Sequence, residues 1–421
     1  MPAAPDDDRP LAGRPWLTAE SSRRVLAALS AGGRPARFVG GCVRDGLLGR
    51  DVGAGTDLDL ATPEPPERAT ALLRAAGIRV IPTGLAHGTV TAVVGERRFE
   101  VTTLRRDVLT FGRRAEVAFT EDFRADAARR DFTINAMSCD AGGRVYDYFG
   151  GREDLARGRV RFVGDARERV AEDYLRILRF FRFLAHYGRG PADPLALAAC
   201  AAGAPGIDRL SGERIRVELL RLLAAPDPVP SLSLMEETGV LARVIPGGGA
   251  AANPTRLARL VALEPPPADG VRRLAALLRP PPAGPGAAPA VAERLRLSNR
   301  DRDRLLDLTT AAPPAARADP AAWRRELYRL GPERFVDLAL LAWADDPDAP
   351  YAAALAAARD WRPVTLPVDG RDVLAQGVPP GPRVGELLRR VEGWWIAADF
   401  RPDRAACLAR LRNLAGAAAL E

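Results

Sequence analysis

The chain has 421 residues, 47% of them apolar, with a formal charge of +7 and a pI near 9.8. That length predicts more than one domain, and the apolar content predicts a folded chain rather than a disordered one. The basic residues number 61 and all are arginine, a charge balance that favours a polyanionic partner, while four scattered cysteines without a C-x-x-C pair and two histidines, His87 and His186, argue against a disulfide framework or a structural zinc site.

A reduced, cytoplasmic setting is the expectation. The start, Met-Pro-Ala-Ala-Pro-Asp-Asp-Asp, is acidic and lacks the apolar stretch of a signal peptide, and no apolar run is long enough to span a bilayer. Residues 1–17 are rich in Pro and Asp and predict a flexible N-terminal arm. A helix is predicted over 19–31 through Val25, Leu26 and Leu29, then a short strand at Arg37-Phe38-Val39.

A glycine turn follows, Gly40-Gly41-Cys42-Val43-Arg44-Asp45, with a helical turn from Val43 to Leu48 and a strand carrying Asp57-Leu58-Asp59-Leu60. Residues i and i+2 of a strand share a face, so Asp57 and Asp59 project together while the leucines fill the other side. Two adjacent carboxylates repel unless a cation shares them, and oxygen donors at this spacing suit a hard ion such as magnesium. A solvated strand face carries the same pattern. The Gly-Gly turn lets backbone N–H groups approach a polyphosphate, with Arg44 adding a charge-assisted bond; glycine pairs also mark ordinary turns.

A helix is expected near 64–76. A hairpin is expected from Thr89–Val94 and Arg97–Leu104 around Gly95-Glu96, with Glu100 as a third acidic group. Residues 105–119, with Arg105, Arg106, Arg113 and Arg114, show little periodicity and read as a mobile basic loop. Ala128–Met137 leads to a second hairpin closed by Ala141-Gly142-Gly143. Within it, Arg129-Arg130-Asp131-Phe132-Thr133-Ile134-Asn135 offers arginines for phosphates and Asp131 and Asn135 for ribose hydroxyls, or equally a helix start capped by Asp131 or Thr133. From about residue 151 the pattern is helical, broken by Pro/Gly-rich stretches at 226–230, 246–254, 265–270 and 280–289.

Glu172 to Phe183 reads as one amphipathic helix with Leu175, Leu178 and Phe181 inward. Asp173, Arg176 and Arg179 then step by three, about 60° and about 4.5 Å apart. A carboxylate accepts from the amino group of cytosine or adenine, and a guanidinium donates to the adjacent ring nitrogen. Guanine and uracil reverse that order. Asp173 and Arg176 would thus accept CTP and ATP and reject GTP and UTP, since unpaired groups in a desolvated pocket cost roughly 1–3 kcal/mol each. A surface stripe of ion pairs gives the same spacing. Arg182 falls well round the helix and meets a phosphate or another helix. His186, at the end of that helix, caps or packs. Ser211 to Glu218 begins a further helix, with Ser211 at the N-cap and a bracing role.

Together and in this order, these motifs resemble the class II CCA-adding tRNA nucleotidyltransferases of the DNA polymerase β superfamily. The first motif is Gly40-Gly41-x-Val43-Arg44-Asp45 with Asp57-x-Asp59 and Thr62, and the second is Arg129 to Met137. Gly150-Gly151-x-x-Asp154-Leu155 with Arg161-Phe162-Val163-Gly164 resembles the flexible head–neck segment. Glu172-Asp173-x-x-Arg176-x-x-Arg179-x-x-Arg182-Phe183 resembles the base-reading motif, and Ser211 to Glu218 the last.

The resemblance implies an α+β fold. A polymerase-β-like head with a mixed sheet (18–150) would follow the arm, then an all-α neck (151–225), body (226–350) and tail (351–421). It implies magnesium on Asp57 and Asp59, with Glu100 as the third carboxylate. Nucleotide would be bound by Gly40, Gly41, Arg44, Arg130, Asp131, Asn135, Arg179 and Arg182, and Asp173 and Arg176 would template C and then A. The substrates implied are tRNA, CTP and ATP. Tyr174 stands where the family usually has proline, and by helical spacing it points away from the base. The basic segment 105–119 fits the flexible loop needed to switch from C to A. A bacterial poly(A) polymerase shares this head, and a non-catalytic RNA-binding descendant is the remaining alternative. Glu100-Val101-Thr102-Thr103-Leu104-Arg105 resembles the CCA-adding version of its strand.

Overall fold

Alternating apolar residues bury one face of each strand segment, and a computed structural model pairs these segments into one mixed sheet. It describes residues 9–50, 52–53, 56–84, 88–111, 114–247, 252–279 and 287–417, so His87 lies outside the described residues. The strands in chain order are β1 (Arg37–Val39), β2 (Leu58–Thr62), β3 (Arg79–Gly84), β4 (Thr89–Val94), β5 (Arg97–Thr103), β6 (Arg105–Phe111), β7 (Arg114–Phe119), β8 (Ser138–Cys139) and β9 (Val145–Tyr146). The main sheet runs β3-β4-β5-β2-β1-β8-β9. Its β2–β5 pair is parallel and sets Asp59 opposite Glu100; the other pairs are antiparallel. Leu58, Leu60, Phe99 and Val101 are buried on the face away from these acids.

Three features of this head differ from expectation. Residues 105–119 are not a loop: β6 and β7 pair as an antiparallel ribbon from Arg105↔Phe119 to Phe111↔Arg114. Its β-favouring residues, among them Val108, Thr110, Phe111, Val117 and Phe119, are interleaved with charges that hide the alternation. Strand β3 was not anticipated; its Pro82 is tolerated because β3 is an edge strand. The arm is docked from residue 9 onward. Leu11 and Trp16 are buried, the Leu11 N–H donates to the Gly143 carbonyl at 3.3 Å, and the Trp16 ring meets Phe38 edge-on at 5.0 Å. Two apolar side chains outweigh the prolines around them. Residues 1–8 lie outside the described set.

Helices α1 (Pro15–Thr18), α2 (Glu20–Ser30), α3 (Gly41–Leu47), α4 (Pro66–Ala75) and α5 (Phe123–Ala128) surround the sheet. Then come α6 (Gly151–Arg157), α7 (Ala166–Glu172), α8 (Leu175–Tyr187), α9 (Pro194–Gly203) and α10 (Gly212–Leu223). The head–neck segment, expected flexible, is clamped to the head. A Cβ on Gly151 would lie 2.2 Å from the Thr133 carbonyl, so only glycine fits. Asp154 accepts from the Thr133 hydroxyl at 2.6 Å and from Arg161 at 3.0 Å. Phe132, Phe162, Phe180 and Phe183 cluster with ring centroids 4.8–6.4 Å apart, joining head motif to neck helix.

The chain forms two compact units, residues 1–250 with 290–297, and residues 251–289 with 298–421. The head and neck therefore share a unit with the helices Val229–Glu237 and Val240–Val244, which had been placed in the body. The second unit is helical. One of its cores packs Trp323, Leu327, Phe335, Tyr351 and Ala354, so Tyr351–Asp360 packs with the expected body and not the tail. Another packs Val373, Leu387, Val391, Trp395 and Leu411.

Candidate active site

The expected base-reading helix is broken. Helix α7 stops at Glu172, Asp173 is extended (φ −153°, ψ 108°), and α8 starts at Leu175. Asp173 and Arg176 are therefore not two positions on one continuous helical face. Asp173 Oδ1 instead accepts from the Leu175 N–H at 3.1 Å, which caps α8, and Oδ2 accepts from Arg214 of α10 at 2.7 Å. The i→i+2 capping bond is a local preference of Asp that outcompetes helix continuation.

Arg176 donates to Glu172 at 2.5 Å, to the Arg169 carbonyl at 3.1 Å and to the Arg129 carbonyl at 3.2 Å. The two base-reading candidates are near in sequence, and each is held by a different protein partner. Tyr174, between them, packs its ring onto Gly206, where a Cβ would lie 2.2 Å from the ring. Gly206→Ala must push Tyr174 and with it Asp173. We expect lowered affinity for CTP and ATP that the double variant Gly206→Ala/Tyr174→Ala restores, as read by nucleotide titration.

The acids Asp57, Asp59 and Glu100 stand on the solvent side of the sheet, exposed, with Asp59 and Glu100 directly paired in register. Although Asp59 is open to solvent, crowding by the surrounding protein thins the hydration of its carboxylate, and this, with the Glu100 charge and then Asp57, pushes it up to about 6 against the pull of Arg130. Like-charge strain of that kind is what a divalent ion relieves. The donors are all oxygen, so the set fits magnesium or a similar hard ion. Among the described residues, no three acidic, Cys or His side chains already stand in a ready-made ligand cluster, so the carboxylates would draw together around an ion rather than wait converged. A ligating Asp59 would have to be the anion, so if it holds the ion, Mn2+ affinity measured calorimetrically should rise about tenfold per pH unit up to about 6 and then level off. A flat profile would remove Asp59 as a ligand.

Gly40, at φ +71°, turns the chain beside these acids; a Cβ there would lie 3.7 Å from both Arg130 Nη1 and Asp59 Oδ2. Gly41 leaves similar room beside the Arg44 guanidinium. Arg44 itself is buried. It donates to both oxygens of Asp45 at 3.1 and 2.9 Å and to Asn135 Oδ1 at 2.6 Å, and lies 4.2 Å above the Tyr187 ring. Asn135 donates in turn to Asp131 Oδ1 at 3.1 Å, and Arg179 donates to Asp131 Oδ2 at 2.7 Å. Burial alone would raise the Asp131 carboxyl; the Arg179 guanidinium and the Asn135 amide outweigh it and hold it below the usual range.

Asp131 and Asn135, expected on a ribose, are thus engaged in tying the head to the neck. Arg182 pairs with Glu218 of α10 at 2.8 Å, the helix–helix option of its two readings. His186 Nε2 donates to the Arg221 carbonyl at 2.8 Å, and burial lowers its pKa despite that bond. Ser211 occupies the N-cap of α10 without a hydroxyl bond to the helix backbone; its partner is the Glu213 carboxylate. Arg44, Arg182, Phe183, His186, Tyr187 and Arg221 line a cavity of about 240 Å³.

Two functional contacts escaped the sequence reading. Arg214 was taken only as part of a bracing helix, yet it holds Asp173. Asp126 was passed over, although Asp126-Ala-Ala-Arg129-Arg130 has the i, i+3, i+4 spacing of helical ion pairs.

The mixed sheet, the glycine turn and the acidic strand define a nucleotidyltransferase head of the poly(A) polymerase type. Residues 36–161 match the family described as Poly A polymerase head domain, and residues 193–251 match Probable RNA and SrmB-binding site of polymerase A. The chain is 33% identical over 396 residues to the mouse protein CCA tRNA nucleotidyltransferase 1, mitochondrial, covering 90% of this chain and 86% of that protein. It is 48% identical over 210 residues to its zebrafish counterpart, where the match spans about half of either chain, 48% and 47%. A crystal structure of the Bacillus stearothermophilus CCA-adding enzyme in complex with CTP superposes with a TM-score of 0.69 at 28% identity, over 92% of this chain and 95% of that one. The chain belongs to the CCA tRNA nucleotidyltransferase family. Enzymes of this kind use divalent metal ions. Among the described residues no helix is long and apolar enough to cross a membrane.

Proposed function

We propose that the protein adds C, C and A in turn to the 3′ end of tRNA, taking CTP and ATP and releasing pyrophosphate in a magnesium-dependent reaction. The observation that carries this reading is the acidic face of Asp57, Asp59 and Glu100 beside the Gly40 turn and Arg130. It lies in the same compact unit as the Asp173–Arg176 break. Asp57 and Asp59 would hold magnesium, with Glu100 alongside. Bound there, it supplies a lowered pKa for the attacking 3′-hydroxyl and neutralises charge on the departing phosphates.

Arg130, beside Asp59, orients the phosphate that is attacked. Arg44, Arg179 and Arg182 supply the positive field for the polyphosphate tail. Asp173 and Arg176 read the amino group and ring nitrogen of the base, exchanging Arg214 and Glu172 for the nucleotide as they do so. Arg179 also stabilises the ionised Asp131, which with Asn135 keeps the neck helix set against the nucleotide turn. The free, buried cysteines accord with a cytoplasmic setting.

The test is incorporation of labelled CTP and ATP into a tRNA lacking its terminal triplet, with and without magnesium. Addition of three nucleotides in the order C, C, A supports the proposal. Long A tails would make the protein a poly(A) polymerase, and magnesium-independent binding without pyrophosphate release would make it a non-catalytic RNA-binding protein.

A further inference from the structure

Asp126, on α5, belongs to none of the groups assigned above to metal, phosphate or base. It is 3% exposed, and its two oxygens face different partners. Oδ1 accepts from Arg129 Nε at 3.0 Å and Nη2 at 2.8 Å, and from the Arg105 N–H at 3.3 Å. Oδ2 accepts from Arg130 Nε at 3.3 Å and Nη2 at 3.1 Å.

The two arginines lead to opposite ends of the site. Arg130 Nη1 and Asp59 Oδ2 flank the Gly40 turn, each 3.7 Å from where a Cβ on Gly40 would stand, and the Arg130 charge acts on the Asp59 carboxylate. The Arg129 carbonyl accepts from Arg176 Nη2 at 3.2 Å, and Arg129 Nε also donates to the Arg105 carbonyl at 3.2 Å. Arg105 is the first residue of β6, so the same carboxylate reaches the root of the β6–β7 ribbon. A buried anion with these bonds holds both guanidinium groups in place, and removing its charge weakens all four of their bonds to it.

We propose that Asp126 is a positioning residue for the nucleotidyl transfer inferred above. It sets Arg130 against the acidic strand pair and, through Arg129, sets Arg176 against the incoming base. One side chain thereby ties rate to base choice. The inference rests on the reading of the site as a CCA-adding centre.

Steady-state kinetics with CTP, ATP and UTP, run well below the melting temperature, test it through Asp126→Asn, which keeps the shape and removes the charge. Losing a supporting contact of this kind lowers kcat/KM for CTP and ATP on the order of 10–100-fold, and UTP rejection falls as well. Arg130→Ala reproduces the rate loss and keeps UTP rejection. In the double variant the Asp126→Asn loss of rate is smaller than in the wild-type background, because both changes release the same guanidinium.

A variant with a lowered melting temperature but wild-type kcat/KM and wild-type UTP rejection overturns the assignment, as does strict additivity with Arg130→Ala. If Asp126→Asn does not fold, the same cycle is run with Asp126→Glu, which keeps the charge and displaces it, and the same non-additivity is required. A wild-type chain that transfers neither CMP nor AMP sinks the functional reading itself. A competent wild type matched by Asp126→Asn removes only the positioning role.

Discussion

Replacing Asp59 by alanine abolishes transfer of both CMP and AMP, by at least about a thousandfold in kcat, the scale of losing a principal electrostatic group in a reaction centre. The same change stabilises the metal-free protein at neutral pH. Asp59 titrates at about 6 in the fold against an ordinary 3.8, so the folded chain holds the proton more tightly than the unfolded chain. Stability therefore falls as pH rises from about 4 through 6, where the fold must accept an anion between Glu100 and Asp57. Thermal melts without divalent ions should show Asp59→Ala above the wild type at pH 7.5, the two curves merging below about pH 4. Near-normal turnover in the variant would remove the metal assignment. Equal melting at every pH would remove the strain.

The second large effect is on base choice. Arg176→Ala leaves the acids and phosphate-side arginines in place, so CTP and ATP are still turned over, more slowly. Discrimination against UTP and GTP should fall by roughly ten- to a hundredfold, the value of one or two mismatched buried hydrogen-bonding groups. Competition assays with mixed nucleotides and sequencing of the tRNA ends read this directly. Undiminished rejection of UTP and GTP would transfer templating to another group. Arg214 is the first to examine, since it already holds the Asp173 carboxylate. Removing the Arg176 side chain also releases one oxygen of Glu172, whose other oxygen stays paired with Arg169, and the Arg129 carbonyl. The comparison with Asp126→Asn then separates loss of the reading group from loss of its support.

Much of the head was legible because its signals are local. Leu58 and Leu60 alternate with Asp57 and Asp59, and period two places the acids on one face whatever lies around them. The hairpin around Gly95 and the helix at 66–75 follow from turn chemistry and apolar spacing of the same short range. The ribbon at 105–119 was missed for the converse reason. Its two strands form a sheet of their own, apart from the main sheet whose strands alternate cleanly, and the charges interleaved along them obscure the period in the sequence. The single helix drawn through Glu172–Phe183 failed at one residue. Its apolar spacing is helical throughout, but the Asp173 side chain caps the next helix and turns the chain out of the pattern.

What the amino-acid sequence determined alone was the chemistry on offer: carboxylates two apart, arginines as the only strong cations, a glycine turn beside them. These are properties of residue type and short spacing. Which groups meet was decided by tertiary structure. Glu100 reaches Asp59 only because β5 pairs in parallel with β2, Arg214 finds Asp173 from a helix 41 residues on, and Asp131 meets Arg179 across 48. The free energy that selects those encounters comes from burying Phe132, Phe162, Phe180 and their neighbours, a summed and non-directional term that no local spacing of charges encodes.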